Sequence, residues 1–191
     1  MPFQSNEELR IASLRPEKAD LTRDGYPYNR GSIHPLNRTF EEILETFKNL
    51  GFNIIEGPEM EDEFHNFEGL NFPKDHPARD EQDSFYLKNG KLLRTHTSPV
   101  QVRVMESTKP PFAVVSPGKC YRRDTIDASH SSMFNQVEGF LVDKNIGVAH
   151  LKGTIEIFVK EIFGDEISSR FRPHFFPFTE PSMEVDIECI F

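Results

Sequence analysis

Tryptophan is absent from the 191 residues and cysteine occurs only twice, at Cys120 and Cys189. Two cysteines make no disulfide framework and fit a reducing cytoplasm. No apolar run approaches the ~18 residues that a membrane span needs, so a membrane protein is excluded. The start, MPFQSNEELR, lacks the basic-then-apolar layout of a secretion signal. Positive charge is in deficit, with 22 Lys+Arg against 31 Asp+Glu and a net charge of −9. The surface as a whole is therefore a poor trap for nucleic acid or an anionic membrane. Neither a Gly-rich phosphate loop nor a Gly-x-Ser-x-Gly elbow occurs. His34, His65, His76, His150 and His174 show no metal-ligand spacing with the cysteines, so no zinc site is expected.

What is present is phenylalanine: 18 residues, in a chain that is 37% hydrophobic. That is too apolar for disorder, and the length suits one good-sized domain. The acidity is local. Residues 56–85 hold ten carboxylates against Lys74 and Arg79, so nearly all of the net charge sits there. The simplest reading of such a run is a solvated loop.

Residues 1–38 have no sustained period and read as a lead-in; the domain is expected over 39–191. Thr39 and Glu42 form a capping-box pattern for a helix over 39–50 that ends at Gly51, followed by a short strand at 52–55. Residues 59–90 read as a long structured loop. A second helix is expected from Ser98 as N-cap and Pro99 at the first position, with Gln101 in the capping-box slot. Strands are expected at 112–115, 119–123 and 133–142, a helix over 148–163, and strands at 167–172 and 183–189. The pattern is α+β: an antiparallel sheet flanked by helices.

Three clusters carry chemistry. In RTHTSPVQVR, His96 and Ser98 precede a helix N-terminus, where backbone N–H groups favour an anion; simple capping would explain Ser98 but not His96. In the second, Arg122 and Arg123 on one strand would face Gln136 and Glu138 on the next. That pairing suits a zwitterion or a polyphosphate, or else is only a cross-strand salt bridge. The third, FFPFTEP, holds Phe176 and Phe178 between prolines and reads as a plug under a loop or a pocket for a ring. Glu184, Asp186 and Glu188 share a strand face, most simply a solvated one.

Together GSIHP, GFNIIEGPEMEDEFHNFEGLN, HPARD, LLRTHTSPVQVR, SPGKCYRRD through SSMFNQVEGFLVD, HLKGTI and RFRPHFFPFTEPS resemble the α subunits of bacterial-type phenylalanyl-tRNA synthetases, a class II family. The resemblance implies the class II catalytic fold and activation of phenylalanine with ATP, followed by transfer to tRNA(Phe). It implies ATP and Mg2+, a β subunit in an (αβ)2 heterotetramer, and a cytoplasmic enzyme. Arg122 then contacts the ATP α-phosphate and the amino-acid carboxylate, with Asp124 and His130 at the ATP. His96, Ser98, Gln101, Gln136 and Glu138 anchor the amino acid's polar groups, Phe176 and Phe178 pack on its ring, and Glu180 lies near magnesium. Asp124 stands where the class usually has Glu, and Asn135 where His is common. The resemblance stops before the third class motif, so the chain alone is expected to be inactive. The alternative function is a non-catalytic amino-acid-binding or subunit-interaction module.

Overall fold

In the computed structural model, residues 22, 31–79, 83–176 and 179–188 are described. Internal contacts divide the chain into Met1–Ile33 and His34–Phe191, and the elements named here belong to the second unit. Helix α1 (Pro35–Asn49) begins ahead of the expected Thr39. Pro35 is preset for a first helical turn, and His34 Nδ1 accepts the Leu36 N–H at 3.2 Å. Thr39 is inside the helix, where its hydroxyl donates to the Pro35 carbonyl at 3.1 Å. Gly51, at φ +88°, turns the chain out of α1.

Strand β1 (Asn53–Ile54) pairs in parallel with Val114 and Val115 of what becomes β4. Strand β2 (Met60–Glu61) pairs antiparallel with β3 (Leu92–Leu93). Between them lie α2 (Glu63–Asn66) and two 3-10 turns, Glu68–Leu70 and Pro77–Arg79. The acidic segment is thus more than a solvated loop. Glu61 is buried against Arg103, whose Nε donates to Oε1 at 2.9 Å while Nη2 reaches Oε2. Asp62 caps α2 by accepting the His65 N–H at 2.9 Å.

Helix α3 (Pro99–Ser107) lies where Ser98-Pro99 marked its start. Strand β4 (Phe112–Tyr121) runs unbroken where two strands were expected, and pairs antiparallel with β5 (Met133–Val142). The two expected strands leave out 116–118, where Pro117-Gly118 lies. Strand β1 pairs only as far as Val115, so β4 has an open edge by Pro117, where proline is tolerated. Helix α4 (Val148–Phe163) follows. Val100 and Val104 of α3 pack on Val114 with Phe140 on one face of the sheet. On the other face Phe47 of α1 stacks on Phe158 of α4 at 5.3 Å. Gly139 admits that approach: a Cβ there would lie 3.3 Å from the Phe47 ring.

The chain closes with a hairpin of β6 (Ser169–Phe176) and β7 (Thr179–Ile187). Both strands are displaced from the expected 167–172 and 183–189, so Phe175 and Phe176 end a strand rather than plug a loop. Glu184 and Asp186 face cations, with Arg172 at 3.0 Å from Glu184 and Arg170 at 2.8 Å from Asp186. Bonds from Arg172 and Arg170 hold the Asp186 carboxyl down at about 2. Glu188 accepts the Ser168 hydroxyl at 2.7 Å. The face is a ladder of paired charges. The α+β expectation stands, with β1 as the parallel exception. No helix among the described residues is long and apolar enough to cross a membrane.

Candidate functional site

Side chains alternate along β5, so Phe134, Gln136, Glu138 and Phe140 share the face covered by α3. Ser98 occupies the N-cap position of α3, but its side chain makes no capping bond. Its hydroxyl instead donates to Glu138 Oε2 at 2.6 Å. The Gln101 amide, expected in a capping box, donates to Glu138 Oε1, and Thr97 Oγ1 reaches Oε2 at 3.4 Å. Three donors at one helix N-terminus therefore fix a single carboxylate.

The RTHTSP segment is held from below by Arg94, which is 2% exposed. Its Nε donates to the Lys119 carbonyl at 2.8 Å and its Nη1 to the Gly57 carbonyl at 3.1 Å. Gly118 makes room for it: a Cβ there would fall 1.7 Å from Arg94 Nη2. Buried Asn66 adds a second tie, donating to Thr95 Oγ1 at 3.0 Å and accepting the Thr95 N–H at 3.3 Å. Cys120, also buried, sits 3.5 Å from Gln136 Oε1. Burial pushes its thiol up to about 11, so it is a weak donor and no nucleophile.

His96 is 9% exposed; no well-aligned hydrogen bond reaches its ring nitrogens, and the Asn66 backbone beside it favours the charged ring only weakly against burial. Burial, reinforced by the Arg122 charge, lowers its pKa to about 4, so the imidazole is neutral. Arg122 lies just beyond β4, not on a strand opposite Gln136 and Glu138. The register pairs Gly118 with Gln136 and Ser116 with Glu138. Arg122 reaches the same space from the loop: its Nε donates to the Thr95 carbonyl at 3.1 Å, and its guanidinium lies 4.9 Å over the Phe134 ring.

These groups line one cavity of about 830 Å³: His96, Ser98, Gln101, Arg122, Asp124, Gln136 and Glu138 all border it. The volume is within the range of small-molecule sites. Other expected site residues are not among its lining. His130 is exposed and holds Asp127 at 2.8 Å. Phe176 is half-buried, edge-on to His174 at 4.7 Å, and Glu180 is exposed beside the lining residue Thr179. Phe178 lies outside the described residues. Sequence reasoning missed Phe72, Asp83 and Met105 in the lining. Only hydrophobicity marked Phe72, and nothing local marked the others. Among the described residues, one group has metal-ligand proximity, Glu61, Asp62 and His65. Arg103 occupies both Glu61 oxygens, and Asp62 and Glu106 flank His65 at 2.8 and 3.2 Å.

A cavity bordered by a fixed carboxylate, a guanidinium and a neutral imidazole can recognise a small zwitterion without covalent chemistry. Residues 18–190 match the family described as the tRNA synthetases class II core domain (F). The chain belongs to that family. Within it, the chain is 55% identical over 185 residues to the phenylalanine--tRNA ligase alpha subunit of Caldicellulosiruptor saccharolyticus, which covers 97% of this chain and 54% of that protein. It is 52% identical over 177 residues to the subunit of the same description from Synechocystis, covering 93% and 54%. The chain thus spans about half the length of these relatives. A pyrrolysyl-tRNA synthetase from Desulfitobacterium hafniense superposes with a TM-score of 0.61 at 15% identity, over 81% of this chain and 54% of that one, and shares the class II fold.

Proposed function

We propose that the chain is the amino-acid-activating part of a phenylalanyl-tRNA synthetase α subunit, and that its cavity takes phenylalanine beside ATP. The observation that carries this reading is the charge arrangement of the cavity. Glu138, fixed by Ser98, Gln101 and Thr97, matches an ammonium; Arg122 and neutral His96 match a carboxylate. Gln136 adds an amide beside Glu138 on the strand face. Phe176 and Phe178 serve the phenyl ring, and Asp124 and His130 serve ATP.

In the proposed reaction a carboxylate oxygen of phenylalanine bonds to the α-phosphorus of ATP as the bond to the pyrophosphate oxygen breaks. Arg122 stabilises the charge that develops on the α-phosphoryl oxygens, and the ammonium clamp fixes the line of attack. A tRNA hydroxyl then takes the acyl group and AMP leaves. Magnesium would supply charge neutralisation when bound. Exposed Glu180 and the cavity residue Asp124 are hard oxygen donors suited to it. The remaining half of the subunit, a β subunit in an (αβ)2 assembly, and tRNA(Phe) complete the enzyme in the cytoplasm.

The test is phenylalanine-dependent ATP–pyrophosphate exchange, run on the subunit at the length of its relatives and assembled with a β subunit. Arg122→Ala should reduce exchange by about a thousandfold or more with the unfolding midpoint held. Near-normal exchange removes Arg122 from the chemistry; no exchange by the unaltered assembly favours a binding module.

A further inference from the structure

A buried histidine is ordinarily oriented by a hydrogen bond at one ring nitrogen, which also selects the tautomer. His96 has no well-aligned bond at either nitrogen, and only the Asn66 backbone lies close enough to favour its charged form. What touches its ring instead is a wall of aromatics. The Phe72 ring lies nearly parallel to the imidazole, 7° between planes at a centroid separation of 5.5 Å. Phe67 presents an edge at 6.5 Å. Phe72 also meets His76, edge-on at 5.1 Å.

The backbone aims the ring. Asn71, at φ +65°, closes the 3-10 turn Glu68–Leu70, a left-handed position that asparagine tolerates better than most residues. The next N–H, that of Phe72, returns to the Phe67 carbonyl at 3.1 Å. We propose that Phe72 is a positioning residue for His96: its stacked ring sets the rotation of the imidazole and shields it from water. The neutral ring then offers one N–H and one lone pair to the bound amino acid. This inference rests on the reading that the cavity takes phenylalanine.

The charged and titratable groups around His96 are accounted for. Arg122 and Arg94 both oppose its protonation. His76 packs edge-on against Phe72, and His76, Asp83, Asp124 and Glu138 all border the same cavity. Burial is the leading cause of the neutral state, so exposing the ring is the way to undo it. Leucine at 72 keeps apolar bulk but removes the flat face; tyrosine keeps the flat face.

The experiment follows the imidazole nitrogens of His96 by NMR in the 191-residue chain, as wild type, Phe72→Leu and Phe72→Tyr, with L-phenylalanine titrated into each. Wild-type His96 should stay neutral down to pH 5, with ring-current-shifted carbon-bound protons. In Phe72→Leu the midpoint should rise by about one pH unit or more, and the Kd for L-phenylalanine by about tenfold at pH 7. Phe72→Tyr should keep both near wild type. A wild-type midpoint near the ordinary 6.5, unshifted ring protons, or a Phe72→Leu chain with unchanged midpoint and Kd would each overturn the proposal. The wild-type spectrum decides even where a variant fails to fold. Failure of the wild-type chain to bind phenylalanine strikes the reading of the cavity; the His96 titration still decides the role of Phe72.

Discussion

The hydroxyl of Ser98, placed at the N-cap of α3, donates across to Glu138 on β5 at 2.6 Å and leaves its own helix uncapped by a side chain. The bond joins the start of a helix to the middle of strand β5, at the edge of the three-stranded sheet. It turns a residue type that normally serves local structure into part of a carboxylate clamp. A double-mutant cycle with Ser98→Ala and Glu138→Gln, read by urea unfolding, should give a coupling of about 1 kcal/mol or more. Simple capping predicts additive effects.

Gly118 is required by a neighbour rather than by its own backbone. Alanine there would put a Cβ 1.7 Å from the Arg94 guanidinium, which ties β4 to the Gly57 and Lys119 carbonyls. Gly118→Ala is expected to destabilise by about 2 kcal/mol or more. Gly153, inside α4 with nothing within 4 Å of its Cβ position, is the control. Alanine there should stabilise by roughly 0.5–1 kcal/mol. Urea midpoints of both variants check the pair.

The buried Glu61 carboxylate depends on Arg103. Its side chain is fully shielded, whereas that of Arg103 is 38% exposed. Removing the cation as Arg103→Ala strands a buried charge and should cost about 3 kcal/mol in thermal or urea unfolding. Arg103→Lys should recover only part of this, because an ammonium lacks the two-pronged fit.

His96 makes stability depend on pH. Its folded pKa of about 4 lies below the ordinary 6.5, so between these values the unfolded chain binds the proton and the folded one does not. Stability from this group therefore rises from pH 4 to 6.5 and is lost on acidification, by about 3 kcal/mol across the window. His65 has the opposite sense. Burial alone would lower its pKa, but bonds to Asp62 and Glu106 outweigh it and raise the value. Its contribution is complete below the ordinary 6.5 and fades as pH climbs through the raised folded value. Urea titrations of His96→Gln and His65→Gln against wild type over pH 4–8 separate the two.

Elements with a sustained local period were legible in the sequence: α4 and β5 lie where their spacing placed them, and α3 begins where Ser98-Pro99 marked a start. The start of α1 was not, because a histidine supplies its cap and Thr39 bonds inside the helix. The unbroken course of β4 was hidden by Pro117-Gly118. A proline reads as a breaker until its strand is known to have an open edge. Within the site, polar residues on the β5 face were legible from alternation, and the family resemblance singled out His96, Ser98 and Gln101. The partners were not. Ser98 and Gln101 carry a capping pattern whose side chains go to a residue about 40 positions away. Nothing local marked Arg94 as a buried strut. Phe72 matters through one ring that only the folded chain brings alongside it.

The central claim is that the cavity recognises the two charged ends of phenylalanine, the ammonium at Glu138 and the carboxylate at Arg122. Calorimetric titration of the chain with L-phenylalanine, N-acetyl-L-phenylalanine and phenylalanine amide tests it most directly, with Glu138→Gln alongside. The account predicts saturable binding of L-phenylalanine at one site. Loss of about tenfold or more should follow when either charged end is blocked or Glu138 is neutralised. Equal affinity for all three compounds, or unchanged binding in Glu138→Gln, would contradict it.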